Sequence, residues 1–243
     1  MLEGPDLVEA GLDGEVEFEA VYVDGSLSTT PEIERITEHC ARRGVRVFAL
    51  EPGVLEKVAD TQTPQPVLAA ARFETTKLEA LDARGLTLVL HNLRDPGNAG
   101  TIIRSADAAG VAAVVFTGQS VDPYNPKTLR ATAGSIFHLP VSVGELATTL
   151  SHLRSLGATT MATVVRGGTS HRDVDLTVPC VVVIGNEASG LDDESVALCE
   201  RTISIEMSGR SESLNAGVAA SLIAFEAFRQ RQDAPATLPT PNL

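Results

Sequence analysis

Three polar loops, each following an apolar run, contain the residues of this chain that are best suited to chemistry. The first runs from Asn92 to Arg104, the second from Val183 to Leu191, and the third from Ile203 to Asn215. A strand end followed by a helix N-terminus directs backbone N–H groups toward a ligand. One such junction is weak evidence, because every α/β protein has several. Three of them with similar residues favour a shared ligand site.

The first loop carries Asn98 and Arg104, six residues apart, across a predicted Pro96-Gly97 turn and into the first turns of a helix. An amide and a guanidinium so placed could hold one phosphate or ribose, because the oxygens of the phosphate or ribose accept hydrogen bonds from both groups, and those from the guanidinium are charge-assisted. In the alternative interpretation, Asn98 caps the helix and Arg104 pairs with a surface acid. The residues alone leave these two interpretations equally supported.

The second loop contains a glycine at which a ligand could approach the backbone closely, and both the second and the third loop carry further polar side chains. Gly185 follows the most apolar strand, and a residue without a Cβ lets a cofactor approach the backbone there. Glu187 stands at a helix entry, where its alternative role is to interact with the helix dipole. Ser213 is a good N-cap for the last helix, and both Ser213 and Asn215 are either helix caps only or pocket residues as well.

Strands and helices alternate along residues 86–232, so the sequence predicts an α/β domain with a parallel sheet and helices on both faces. Apolar, β-branched runs predict strands at 86–90, 112–116, 137–141, 159–165, 178–184 and 202–207. Periodicity with Gly and Pro punctuation predicts helices at 101–109, 127–133, 143–156, 193–199 and about 213–230.

Residues 1–72 predict a smaller α/β domain in front of this unit. It has strands at 15–24 and 45–50, a helix that starts at Pro31, short helices after Pro5 and at 53–59, and an apolar element at 66–71. Residues 73–85 predict a partly helical linker. The Pro-, Thr- and Ala-rich tail 233–243 is predicted to be disordered.

Composition limits the class of protein. The chain has 243 residues, of which 43 % are apolar, and this is enough for a sizeable core. It contains no apolar run that could span a membrane, no signal peptide, and three cysteines without metal-ligand spacing. We therefore expect a cytoplasmic protein with no membrane partner, no metal site and no ordinary dinucleotide site.

The net charge of −13 has the wrong sign for a protein that binds RNA, because phosphate contacts normally supply most of the affinity. Residues 1–84 contain 17 acidic and 8 basic side chains, whereas residues 85–243 contain 15 and 11. Much of the acidity therefore lies outside the part with the three loops. If the chain binds RNA, this charge implies a small site or one selected by shape.

In order and residue type, the three loops resemble the signature motifs of the SpoU/TrmH family of RNA ribose 2′-O-methyltransferases, over residues 86–229. The resemblance implies a C-terminal trefoil knot within residues 178–229 and methyl transfer from S-adenosylmethionine without a metal. It also implies a homodimer packed through the last helix, an active site completed across that interface, and an N-terminal domain that binds RNA.

The family motifs assign roles to individual residues. The matching residues of the catalytic pocket are Asn98, Arg104, Glu187, Ser213 and Asn215. Those matching the cofactor site are Gly185, Ile205, Met207 and Leu214, with adenine near Thr163 or Val164. We expect Arg104 to position the target phosphate, because a guanidinium is a poor base. RNA phosphate is expected at the basic residues nearest the loops: Arg130 first, then Lys127, Arg94 and Arg210.

The turn from Val121 to Lys127, with Ala133-Gly134-Ser135 behind it, resembles the branch of the family that acts on large-subunit ribosomal RNA. We therefore predict 23S ribosomal RNA as the substrate. Three alternatives remain open: a tRNA 2′-O-methyltransferase of the same family, a catalytically silent RNA-binding protein with the same fold, and a small-molecule α/β enzyme.

Overall fold

The computed structural model describes residues 1–14, 16–58 and 65–233. Glu15, the predicted helix end at Ala59 and the predicted tail from residue 234 onward lie outside the described residues.

The N-terminal part forms a four-stranded sheet. Its strands β1 (Leu2–Glu3), β2 (Glu17–Asp24), β3 (Val47–Leu50) and β4 (Val67–Arg72) lie in the order β1-β4-β2-β3. Strand β4 is antiparallel to β1 and β2, whereas β2 and β3 are parallel. The helices are α1 (Pro5–Asp13), α2 (Pro31–Arg43) and α3 (Leu55–Val58). Gly44 ends α2 with a φ of 68°, a left-handed conformation that favours glycine.

The larger sheet has seven strands, and every neighbouring pair is parallel. The strands are β5 (Leu86–His91), β6 (Ala113–Thr117), β7 (Val141–Gly144), β8 (Thr159–Thr163), β9 (Thr169–Ser170), β10 (Cys180–Ile184) and β11 (Arg201–Ser204). Their order is β7-β6-β5-β10-β8-β11-β9. The chain continues from β5 toward one edge and from β10 toward the other. The loops after β5 and β10 therefore diverge at a topological switch point, where α/β sheets bind ligands.

Helices cover both faces of this sheet, as the sequence predicts. They are α4 (Pro96–Ala108), α5 (Pro126–Thr132), α6 (Leu146–Ser155), α7 (Asp193–Ala197) and α8 (Ala216–Asp233). The larger core joins Leu88 of β5 to Ile102 of α4 and Ile223 of α8, and it continues into the N-terminal part through Leu7 and Ile33. A smaller core packs α6 on the opposite face. In the described ranges α8 is the longest helix, and no helix there could span a bilayer.

Several predicted boundaries are wrong for identifiable reasons. The expected strand at 137–141 is a 3₁₀ turn at Ser135–Phe137 followed by β7, and α6 begins only at Leu146 because Glu145 caps it. Helix α4 begins at Pro96, so the expected Pro96-Gly97 turn is its first turn. The two-residue strands β1 and β9 are too short to leave a periodic pattern.

Candidate active site

Helix α4 positions the first group of polar side chains. Asp95 is its N-cap, with Oδ1 accepting the Asn98 backbone N–H at 2.7 Å, and Pro96 stands at the first helical position. Asn98 therefore lies in the first turn of α4, at the carboxyl end of β5. The alternative interpretation of Asn98 as the helix cap is wrong, because Asp95 takes that role.

The loop after β10 folds back on itself. Asn186 and Gly190 form an antiparallel bridge with backbone hydrogen bonds of 3.1 and 2.9 Å. A Cβ at Gly185 would overlap the backbone of Gly190 and Leu191. The chain itself therefore requires glycine at position 185, in addition to any requirement from a ligand.

Glu187 joins this loop to the loop after β5. Its Oε1 accepts hydrogen bonds from the Asp95 backbone N–H at 3.0 Å and from Asn98 Nδ2 at 3.1 Å, and its Oε2 accepts from the Arg94 backbone N–H at 3.3 Å. Partial burial raises the pKa of Glu187, but these hydrogen bonds outweigh it and hold that pKa below its ordinary value. Glu187 is therefore an ionised acceptor at neutral pH, and it fixes the loops rather than donating a proton.

The third loop joins the same chain of hydrogen bonds. Asn215 Nδ2 donates to Asn98 Oδ1 at 2.9 Å, while Asn215 Oδ1 accepts the Val218 backbone N–H at 3.2 Å. Asn215 therefore caps α8 and also contacts the first loop. The prediction that Ser213 is the N-cap is wrong, because α8 begins only at Ala216.

A pocket of about 220 Å³ opens beside this chain of hydrogen bonds. It is bordered by Glu187, Ser213 and an apolar wall that includes Ile203 and Ile223. All six predicted cofactor-site residues line it: Thr163, Val164, Gly185, Ile205, Met207 and Leu214. Among the residues described, no backbone N–H from Ile205 to Asn215 has a protein acceptor. The third loop thus presents free donors next to an apolar slot, which suits a partly polar, partly aromatic ligand.

Arg104 lies on α4 beyond the contact between α4 and α8. That contact includes a hydrogen bond of 2.7 Å from Ser221 Oγ to Ser105 Oγ. Arg104 is exposed, and within the described structure it has no hydrogen bond or ion pair. Its guanidinium is therefore available to an external anion. The alternative interpretation, in which Arg104 pairs with a surface acid, is wrong.

The four predicted RNA-binding residues are not equivalent. Arg94, Lys127 and Arg210 are exposed, with Arg94 Nη2 donating to Gln119 Oε1 at 2.9 Å. Arg130, the first choice from the sequence, instead pairs with Glu3 of β1, with Nη1 and Oε2 3.0 Å apart. Its guanidinium connects α5 to the N-terminal sheet, and 30 % of its side chain is exposed.

Sequence reasoning missed Asn92 as a member of the site. Its φ is 56°, its carbonyl accepts from Asn186 Nδ2 at 2.8 Å, and its Oδ1 accepts the Gln119 backbone N–H at 2.8 Å. Asn92 thereby links the loops after β5, β6 and β10. The signal was an Asn at a strand end, since Asn tolerates left-handed backbone better than most residues.

In the part of the chain that is described, no cluster of His, Cys, Asp and Glu side chains could hold a metal ion. The structure brings together an apolar pocket and an ionised carboxylate held by amides, while the exposed Arg104 guanidinium lies farther along α4 and does not line the pocket.

The pocket lies at the carboxyl ends of β8, β10 and β11, the edge at which open α/β sheets bind ligands. Comparison with known families gives the class: residues 85–225 match the SpoU rRNA Methylase family, and residues 1–69 match the MRM3-like substrate binding domain. Because the first match spans more than half of the chain, this chain belongs to the SpoU rRNA methylase family.

Individual relatives agree with this assignment. The chain is 30 % identical over 225 residues to 23S rRNA (guanosine(2553)-2′-O)-methyltransferase RlmP of Bacillus subtilis. The aligned region covers 93 % of this chain and 86 % of the relative. The chain is 35 % identical over 193 residues to 23S rRNA (uridine(2479)-2′-O)-methyltransferase of Streptomyces viridochromogenes, covering 76 % and 67 %.

The fold also matches solved structures. The SpoU methyltransferase AviRb from Streptomyces viridochromogenes, solved in complex with its cofactor AdoMet, superimposes with a TM-score of 0.84 at 27 % identity. The match covers 96 % of this chain and 90 % of that structure.

Proposed function

We propose that this chain transfers the methyl group of S-adenosylmethionine to a ribose 2′-OH of 23S ribosomal RNA in the cytoplasm. The observation that carries the proposal is the hydrogen-bonded chain Glu187–Asn98–Asn215 beside a pocket lined by all six predicted cofactor residues. The two relatives with 23S rRNA in their names support the substrate class.

The pocket fits S-adenosylmethionine by its chemistry. The apolar wall of Ile203, Ile205 and Ile223 suits an adenine ring, and the free N–H groups of the third loop suit ring nitrogens or a carboxylate. When bound, S-adenosylmethionine supplies a methyl group on a positively charged sulfur. No metal ligand is needed for such a transfer, and the residues that line the pocket contain no His or Cys.

We assign the residues of this chain roles in positioning and electrostatics. Glu187 borders the pocket and holds the loops after β5 and β10 together, and through this carboxylate Asn98 and Asn215 are fixed beside the pocket. Arg104 holds the phosphate next to the target ribose, which lowers the pKa of the attacking hydroxyl and fixes its direction. Ser213 lines the pocket mouth, and Arg94, Lys127, Arg130 and Arg210 contact RNA phosphate.

We further propose that residues 1–72 are an RNA-binding domain, residues 73–85 a linker, residues 86–232 the methyltransferase domain and residues 233–243 a disordered tail. Within residues 178–229 we infer the trefoil knot of the family. The support for the knot is the family to which the chain belongs. In the structure, α8 is held at two points along its length. Ser221 bonds to α4, and Gln230 bonds to the Leu176 backbone N–H at 2.8 Å and to the Val174 carbonyl at 3.0 Å.

We also propose a homodimer formed through α8. Val218, Leu222, Phe225 and Phe228 recur along one side of this helix and are 40–47 % exposed. Large apolar side chains in such a row are a typical interaction surface. Because Arg104 lies on the neighbouring helix α4, a partner on this surface would also border the RNA site.

The test is transfer of labelled methyl from S-adenosylmethionine to purified 23S ribosomal RNA, followed by nucleoside analysis. A labelled 2′-O-methyl nucleoside in 23S RNA is the expected result. Label in tRNA instead would contradict the substrate and keep the reaction. Saturable binding of S-adenosylmethionine without label in any RNA, including intact subunits, would contradict the reaction and favour a silent RNA-binding protein.

A further inference from the structure

The chain has only nine aromatic side chains, and most of them pack against protein. Phe116 is buried, and Phe73 packs edge-on against Tyr124 and Phe137. Phe225 and Phe228 belong to the proposed dimer surface on α8. The remaining exposed group lies on the four-stranded sheet, far along the sequence from the methyl-transfer site.

This group is a stack of three side chains on one face of that sheet. Tyr22 of β2 and Phe48 of β3 are paired in register, with ring centroids 5.6 Å apart and ring planes at 20°. The Arg46 guanidinium lies 6.0 Å from the Phe48 ring centroid. We call Tyr22, Arg46 and Phe48 the Phe48 platform.

The platform is open to a ligand. Strand β3 is at the edge of its sheet, and Phe48 is 43 % exposed while Tyr22 is half-buried. A cross-strand aromatic pair by itself stabilises a sheet, which would explain Tyr22 against Phe48. It does not explain an edge ring with so much exposed area and a cation next to it.

The charge of Arg46 distinguishes it from most arginines of the same part of the chain. Arg35 and Arg72 are paired with Glu9 and Glu19, and Arg43 donates to backbone carbonyls at the end of α1. Within the described residues, Arg46 has no carboxylate or carbonyl partner, and its recorded contact is the Phe48 ring. In an acidic region this is a retained, unneutralised cation beside an aromatic face.

An aromatic face combined with a guanidinium is the chemistry that binds unpaired nucleobases. Bases stack on aromatic rings and on guanidinium planes, and the positive charge attracts the adjoining phosphate. Stacking is tolerant of sequence and gains affinity from the ring face as well as from charge, so it suits a chain whose net charge is −13.

The platform is connected to the proposed active site by a continuous series of contacts. Glu3, Leu68, Tyr22 and Phe48 are successive register partners across β1, β4, β2 and β3, so their side chains share one face. Three strand spacings separate Glu3 from Phe48, or about 14 Å. At the other end of this row, Glu3 pairs with Arg130 of α5, and α5 packs closely against α4, where a Cβ at Gly100 would overlap Ala131.

We propose that the Phe48 platform binds an unpaired base of the RNA substrate by stacking, at a distance from the nucleotide that is methylated. This inference rests on the proposed function for the identity of the ligand. It adds a substrate-binding contact outside the methyl-transfer site.

The experiment uses the full chain and a short single-stranded oligoribonucleotide that contains 2-aminopurine, whose fluorescence falls when the base stacks. The variants are Phe48→Leu, which keeps apolar bulk but removes the ring, and Phe48→Trp, which keeps a larger ring. Arg46→Gln removes the cation of the platform, and Arg35→Gln is its matched control, because it removes a cation of the same region that is already paired with Glu9.

We expect Phe48→Leu and Arg46→Gln to lose quenching and to weaken binding by about fivefold or more, while Phe48→Trp and Arg35→Gln do not. In methyl transfer, Phe48→Leu should raise KM for RNA without lowering kcat, because the platform contacts substrate and transition state equally. Thermal unfolding checks that each variant is folded.

Quenching and KM that are unchanged in Phe48→Leu would overturn the platform while leaving the methyltransferase assignment intact. A change of sedimentation rate in Phe48→Leu, without a change in RNA binding, would also overturn it, since the surface would then join protein copies. Phe48-dependent quenching in a chain that methylates no RNA would support the platform and contradict the proposed reaction.

Discussion

At the scale of single residues, Glu187 determines how the three loops meet. One carboxylate accepts two backbone N–H groups and one amide from the loop after β5, and that amide in turn accepts a hydrogen bond from Asn215. The sequence predicts that these side chains share a site. It could not predict that Asn92 joins three loops, because that depends on contacts between distant segments.

Arg104 gives a prediction at this scale. Arg104→Ala should reduce methyl transfer by roughly 100-fold or more, the size of effect seen when one positioned electrostatic group is removed. The affinity for S-adenosylmethionine should remain near normal, because Arg104 does not line the pocket. Single-turnover methyl transfer and calorimetric cofactor binding measure the two quantities. Arg84→Ala is the control, because Arg84 is an exposed Arg paired only with Asp82. A collapse of cofactor affinity in Arg104→Ala would show that the roles are assigned wrongly.

The second prediction concerns Asn98, and it is tested by the pH dependence of methyl transfer. The pKa of Glu187 is lowered in the folded protein, so its stabilising contribution is present above the unfolded value of about 4.3 and is lost as pH falls through the folded value. The native chain should therefore show no loss of loop order between pH 5 and 9 from this group.

Asn98→Asp places a second carboxylate against Glu187, which raises the pKa of the pair. We expect transfer to fall sharply at pH 8 and to recover in part toward pH 5, where one proton is shared between the two groups. Asn98→Ala removes the same hydrogen bonds without adding charge, so its loss should not recover in acid. Parallel pH profiles of the two variants that show the same loss would contradict direct contact between positions 98 and 187.

At the scale of secondary-structure elements, the parallel sheet and most helices could be predicted because β-branched runs and Gly or Pro boundaries are local signals. Errors occurred where a side chain moved a boundary. Asp95 starts α4 at Pro96, Glu145 delays α6 to Leu146, and Asn215 delays α8 to Ala216. All three are helix caps that act within three residues of the boundary.

The contact between α5 and β1 gives the third prediction. The Arg130 and Glu3 side chains are 30 % and 6 % exposed, so loss of either charge removes a partly buried ion pair. Arg130→Ala and Glu3→Gln should each lower the free energy of unfolding by about 1–3 kcal/mol. Thermal or urea unfolding measures this.

The same two variants decide whether Arg130 also contacts RNA, as the sequence predicts. If it does, Arg130→Ala weakens RNA binding and lowers its salt dependence, whereas Glu3→Gln does not. If Arg130 only connects α5 to the N-terminal sheet, both variants change RNA affinity to the same small extent.

At the scale of the whole molecule, the buried residues of the two sheets form one continuous hydrophobic cluster. Leu7 and Ile33 belong to the same buried cluster as Leu88 and Ile223. The sequence shows a change of composition near residue 85, but it cannot show which surfaces of the two parts pack together. It also shows that α8 is apolar on most sides, without indicating which side remains exposed.

That exposed side gives the last prediction. Phe225→Glu places a charge in the middle of the row formed by Val218, Leu222, Phe225 and Phe228, so the variant should sediment as a monomer where the native chain sediments as a dimer. Because Phe225 is 46 % exposed, the fold should tolerate the change, and thermal unfolding checks this. Leu156→Glu is the matched control: Leu156 is equally exposed but follows α6, which packs on the opposite face of the sheet.

If the site is completed across the interface, Phe225→Glu loses methyl transfer in proportion to its loss of dimer, and raising its concentration restores both. A monomer that retains full activity would show that one chain carries the whole site.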